Sequence, residues 1–381
     1  MRDELVTLSD LQTILLYLVV ICCSCFIAVW YEKVLLPNKE LNPIIRIFVR
    51  MGIVLFPALL FGCRSDIVGW DTEENVAVFQ GAENATFETI LANRNAGFLA
   101  ILSFLNLITE GNYNLAFFCI HLITLYLVIA GLERFSDKVL ISIGWFVYLT
   151  YFGFYGMDQM RQIFAMAIWF WGIKYIFERR FLRYVIVVLI ASIIHSSLIL
   201  SLIMYFFIVS ISKQNQLFGI VIISTALLLS IFSSSLFNIL GNIFAGDSYY
   251  STYFMDESVA NTIEGTGSGL GILFNLLPFL YPIICYYKYF QSKIFWFMFL
   301  CFALIIPLRS LGYESYFLAR MYLIPASMIV LLYPYAYRCI ADQKKEKTLF
   351  IGLTIVLMAF YFCYFAFTSH GIMPYSFNFC S

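Results

Sequence analysis

The chain has 381 residues, of which 62% are hydrophobic and only 12% charged. Its mean hydropathy is +0.87. With Lys plus Arg and Asp plus Glu both at 23, the formal net charge is zero. Such a composition excludes a soluble globular protein, and the lack of a basic excess argues against a nucleic-acid partner.

The predicted elements are apolar runs at 11–30, 45–62, 113–132, 139–154, 161–177, 182–211, 217–237, 268–288, 294–308, 317–337 and 348–367. In lipid each backbone polar group needs an internal partner, so these runs are expected to be helices. The first run is long for a signal-peptide core and lacks a small-residue cleavage site, so it reads as a retained helix. Residues 98–108 are too short to cross and read as a re-entrant or interfacial helix in the first long outer loop.

Lysines and arginines in short loops set the orientation. Lys33, Lys39 and Arg46, Arg134 and Lys138, Arg179, Arg180 and Arg183, and Lys344, Lys345 and Lys347 mark the cytoplasmic side. Segments 63–112 and 238–267 contain no Lys and carry mainly acids, which places both outside. This parity holds only if 182–211 crosses twice, turning near His195, although about thirty residues span roughly 45 Å, short of two full crossings. The expectation is a single all-α polytopic membrane domain over residues 1–381. It would have about twelve transmembrane helices, both termini outside, and 63–112 and 238–267 as outer loops.

Ten cysteines are scattered, and the one C-x-x-C spacing, Cys22 to Cys25, has no second pair to complete a metal site. His121, His195 and His370 sit in unrelated segments. No metal and no cofactor is expected.

The expected outer face collects Arg64, Asp71, Asp158, Arg161, His195, Arg309, Glu314 and Arg320, together with the tail after Thr368. Arginines without neighbouring lysines suit bidentate binding of a phosphate or pyrophosphate. The plainer reading of each is snorkelling to the headgroups or pairing with an acid, and for Arg161 that acid would be Asp158. His195 is either a general base or a hydrogen-bonding partner held by Ser196 and Ser197. In Gly69-Trp70-Asp71 the acid could activate a sugar hydroxyl and the indole could stack on a sugar ring; the alternative is an ordinary turn. His121, alone in its helix, reads as structural. The run from Gly265 to Gly269 lacks the Lys of a phosphate loop and reads as a hinge.

These residues resemble the EpsG-like, Wzy-type polysaccharide polymerases. Arg64 with Gly69 and Asp71, then Arg161-Gln162 with Ala165, then His195 and finally Arg320 follow in order. Trp70 replaces the family's Thr, and Asn75 stands where a Tyr is expected. The resemblance implies a bacterial inner-membrane glycosyltransferase that joins undecaprenyl-pyrophosphate-linked repeat units at the periplasmic face. Its site would comprise catalytic His195 and Asp71, with Arg161, Arg320, Arg64, Arg309 and Gln162 on the pyrophosphate. Membrane lipids and a chain-length regulator are further candidate partners. The rival functions are an O-antigen ligase and a transporter or flippase of the lipid-linked unit.

Overall fold

A computed structural model describes residues 6–37, 42–93, 95–210, 216–244, 269–286, 292–312, 320–340, 344–368 and 371–378. Apart from one two-residue strand pair these residues are helices and their connections. The chain divides into two units, residues 1–202 with 333–381, and residues 203–332.

In the first unit, Asp10–Trp30 (α1) begins with a capping box. The Ser9 hydroxyl accepts from the Gln12 amide at 3.4 Å, and Gln12 Oε1 accepts from the Ser9 amide at 2.9 Å. A π-helical turn, Tyr31–Leu35, extends α1. Pro43–Gly62 (α2) starts with Asn42 capping the Ile44 amide and Pro at its first position, where no amide is needed. Thr72–Gly81 (α3), Phe87–Ala92 (α4) and Ala96–Ile108 (α5) fill the first long loop. The predicted short stretch is thus a helix of 13 residues. Tyr113–Glu133 (α6), Ile141–Val147 (α7), Tyr155–Asp158 (α8), Met160–Gly172 (α9), Lys174–Phe177 (α10) and Phe181–Ile194 (α11) follow. The unit also contains the helix Lys344–Thr368 and the two strands, Val6–Thr7 (β1) and Ser376–Phe377 (β2), which pair antiparallel.

Small and polar residues set the close contacts. A Cβ on Gly62 would lie 2.5 Å from Phe118 Cβ, so α2 and α6 touch backbone to side chain there. Buried Ser24 donates to the Ile53 carbonyl at 2.5 Å and accepts from Trp145 Nε1 at 2.7 Å, tying α1, α2 and α7 together. A buried hydroxyl without such partners would be costly in lipid.

The unit has two chemically distinct ends. At one end Glu133 accepts from Tyr31 at 2.8 Å and Arg50 Nε at 2.7 Å, with Arg46 at 3.8 Å. Nearby, Arg134 donates to the Trp171 carbonyl at 2.6 Å, and Lys174 donates to the Arg134 carbonyl at 2.7 Å. The other end holds Arg64, Asn114 and the C-terminal residues 371–378: Asn114 Nδ2 donates to the Arg64 carbonyl at 2.8 Å, and the Leu8 amide donates to the Tyr375 carbonyl at 2.9 Å.

The second unit contains Ile203–Ser210 (α12), Gln216–Ile231 (α13), Ser233–Phe244 (α14), Gly269–Tyr286 (α15), Lys293–Leu311 (α16) and Leu323–Ala326 (α17). Ile329–Cys339 (α18) contains the boundary between the units. Ser230 and Ser310 share a hydrogen bond that joins α13 to α16.

Among the described residues, 5 helices are long and apolar enough to cross a membrane, or 6 if a pair bent by 71° at Phe232 counts as one span. Twelve crossings do not follow from helix length, because several apolar runs are broken. The run 161–177 is interrupted at Ile173, and 268–288 contains Pro278 and Pro282 within a helix. Most of the expected outer loop 238–267, together with Glu314 and Gly265 to Ser268, lies outside the described residues.

Candidate functional site

The loop that follows α2 is shaped by Gly69. Its φ is +93°, and a Cβ there would lie 2.5 Å from the Met157 carbonyl oxygen, so only glycine fits. The Gly69 amide donates to the Gly371 carbonyl at 2.9 Å. Two residues on, the Asp71 amide donates to Asp158 Oδ1 at 3.1 Å. Asp71 is half-buried and occupies the N-cap of α3, but its side chain makes no capping bond. The neighbouring Trp70 is 63% exposed, with its ring against Gly371.

Beneath this loop lies Arg64, which has no exposed surface. Its Nε donates to Thr72 Oγ1 at 3.4 Å and its terminal nitrogens to the Phe61 carbonyl and, at 3.0 Å, to the Met157 carbonyl. His121 Nε2 lies 3.1 Å from the same guanidinium. Burial lowers the Arg64 pKa to about 10, while Tyr375, Tyr113, Tyr17 and Asp158 oppose the shift. The group is therefore still a cation at neutral pH. Expected at the pyrophosphate, Arg64 is instead turned into the protein, where it binds the loop to the turn at Met157.

The C-terminal residues close the same end. The Ser65 amide donates to the Ser376 carbonyl at 2.9 Å, the Asn378 amide to the Cys63 carbonyl at 3.1 Å, and Tyr375 to the Leu60 carbonyl at 2.6 Å. Burial raises the Tyr375 pKa above its ordinary value, which keeps the phenol a neutral donor.

Arg161 and Gln162 stand in the first turn of α9. Gln162 is buried and Arg161 half-buried. No acid occupies this turn, and Gln159 makes no capping bond. Among the described residues Arg161 makes no hydrogen bond or ion pair, so the alternative reading, a pair with Asp158, does not form. A guanidinium beside the unsatisfied amides of a helix N-terminus is a concentration of positive charge that an anion would relieve.

His195 ends α11 in an extended conformation, φ −143° and ψ 109°, and the chain turns back through the 3₁₀ segment Ser196–Leu202. The Tyr184 hydroxyl donates to the Ser201 carbonyl at 2.6 Å, which fixes this reversal. His195 Nδ1 lies 2.8 Å from Ser197 Oγ, and the Ser196 amide donates to Asn95 Oδ1 at 3.3 Å. Because α9 and α11 meet where a Cβ on Gly172 would touch Val187, an equal step along both antiparallel helices brings His195 level with Phe164. That is one turn from Arg161. Asp71, Asp158, Arg161, Gln162 and His195 therefore share one end of the first unit.

In the second unit Arg309 lies in the last turn of α16, its guanidinium carbon 3.9 Å from the centre of the Tyr322 ring. A cation there also suits the negative end of the helix dipole. Arg320 is half-buried at the start of a short helical stretch.

Two contacts of the site carry no sequence signal. The structural reading of His121 fits its burial, but no spacing in the chain links it to the Arg64 guanidinium that it touches. The terminal strand is too short to announce itself.

No curated protein and no solved structure matches the chain. The sequence model of the EpsG family matches residues 47–377, a stretch that includes Arg64, Asp71, His121, Asp158, Arg161, Gln162, His195, Arg309 and Arg320. The chain belongs to the EpsG family, and that membership suggests a membrane polysaccharide polymerase-type enzyme.

Proposed function

We propose that this protein polymerises undecaprenyl-pyrophosphate-linked oligosaccharide repeat units at the periplasmic face of a bacterial inner membrane. The observation that carries this reading is the Arg161 guanidinium, which has no partner among the described residues and stands at a helix N-terminus on the same end as Asp71. The acid-rich, lysine-free loop at that end and the Arg- and Lys-rich opposite end support the orientation.

In the proposed reaction a hydroxyl oxygen of the incoming unit attacks the anomeric carbon of the lipid-linked glycan. The bond from that carbon to the pyrophosphate oxygen breaks, and the lipid pyrophosphate leaves with the electron pair. The hydroxyl proton passes to Asp71 or His195, a step worth about 10²- to 10⁴-fold. Arg161, with Gln162 and the first amides of α9, stabilises charge as it grows on the leaving group. Arg309 and Arg320 are assigned to pyrophosphate on guanidinium chemistry alone. Arg64 acts at one remove, by holding the Asp71 loop. The reaction is written without a metal or nucleotide.

Deleting the gene tests the reading in cells. A polymerase mutant still exports and attaches single repeat units. Unattached polymer would indicate a ligase instead, and units retained inside would indicate a flippase.

A further inference from the structure

Within α6, His121 is 2% exposed, and it belongs to no step of the proposed reaction. Its Nε2 lies 3.1 Å from a terminal nitrogen of Arg64. A guanidinium can only donate, so this ring nitrogen accepts and carries no proton. The ring itself has little freedom. Phe61 meets it edge to face at 5.4 Å between centroids, and a Cβ on Gly156 would lie 3.6 Å from its Cε1.

The same guanidinium grips the two places where the catalytic loop is anchored. It donates to the Met157 carbonyl, next to Asp158, and to Thr72, next to Asp71. Asp71 and Asp158 are themselves joined by the 3.1 Å amide bond. Four donors on a planar fork can satisfy Thr72, Met157, Phe61 and His121 together in only a narrow range of orientations. Removing the acceptor on one side leaves a buried donor unmet and frees the fork to swing.

From this we infer that His121 is a positioning residue for the polymer-forming reaction: by accepting from Arg64 through Nε2 it sets where the Asp71 loop stands relative to Asp158 and Arg161. A carboxylate in its place would cancel the charge of Arg64, whereas a neutral imidazole orients the fork and leaves the cation in place. The inference rests on the polymerase reading for its consequence, but not for its geometry.

Hydrogen exchange on the full chain in lipid nanodiscs, read alongside polymer formation, separates the two. The probe amides are Gly69, Asp71 and Thr72, each hydrogen-bonded in the loop. His121→Phe keeps a ring but removes the acceptor, and His121→Leu serves if that variant does not accumulate. His121→Gln keeps an acceptor at about the reach of Nε2. Exchange at these amides should speed by about tenfold in His121→Phe, with polymer falling in parallel, and both should return to within about threefold of wild type in His121→Gln. A merely space-filling His121 gives the opposite order, with Phe as good as or better than Gln, and overturns the inference. Unchanged exchange in the acceptor-less variants also overturns it, whatever the activity. If exchange responds as expected while polymer does not, the anchoring stands and the place of Asp71 in the reaction fails.

Discussion

The Asp158 carboxylate accepts the backbone amide of Asp71 at 3.1 Å, across 87 positions of chain. Asp158 is almost fully buried, whereas Asp71 keeps part of its surface open, so one acid positions the other. Asp158→Asn keeps an acceptor and should retain much of the polymer output. Asp158→Ala should cost about tenfold, through loss of a charged hydrogen bond. Asp71→Asn should cost more, about a hundredfold, because it removes the proton acceptor itself. Polymer quantified against membrane-embedded protein level ranks the three.

Gly69→Ala places a methyl group against the Met157 carbonyl at a backbone φ of +93°. Strain of this kind costs about 1–3 kcal/mol and can be relieved only by moving the loop. The variant should fold, lose stability by about that amount and lose most of its polymer. Melting of the detergent-solubilised protein, together with polymer analysis, checks both parts.

Arg64→Met should destabilise the protein by about 2 kcal/mol or more, since the Phe61 and Met157 carbonyls each lose a donor. Its pH behaviour is also set. With a folded pKa near 10 against an ordinary 12.5, Arg64 is charged in both folded and unfolded chains below about pH 9 and adds no slope there. Between the two values the unfolded chain holds more protons, so the linked stability rises with pH only in that range. Stability curves of wild type and Arg64→Met should therefore run parallel from about pH 6 to 9. A widening gap within that window would contradict the assignment.

The hydroxyl of Ser197 lies 2.8 Å from His195 Nδ1 and fixes the ring. If His195 takes the acceptor proton, His195→Gln should lose about 10²-fold or more and Ser197→Ala only a few-fold. The pH dependence of polymer formation in membranes should then change in His195→Gln and stay as in wild type in Ser197→Ala. A Gln variant with wild-type output would assign His195 to shape and leave Asp71 as the base.

Much of the first unit was legible in the chain. Apolar runs gave α1, α2 and α6 because a helix long enough to cross must show about 20 apolar residues in a row. The loop acids and Gly69-Trp70-Asp71 pointed to one end, and the break at His195 fell where the charge pattern required a turn. Helix length among the described residues does not confirm twelve spans, because hydropathy sums over a run and does not register the break after Gly172 or the bend at Phe232. The Arg64–His121 contact joins residues 57 positions apart on different helices, and neither side chain carries a local pattern that names the other. The alternative reading of Arg161, a pair with Asp158, rests on their helical spacing. The chain breaks between α8 and α9, and the carboxylate faces the loop instead.

Arg161 is the residue on which the account turns. The direct measurement supplies the purified full chain, in lipid nanodiscs, with a defined repeat unit on a polyprenyl pyrophosphate and resolves the products by length. Wild type should give a ladder. Arg161→Ala should reduce it about a hundredfold at unchanged protein level, and Arg161→Lys should recover part, since it restores the charge but not the planar fork. An undiminished ladder from Arg161→Ala, or no ladder from wild type, would contradict it.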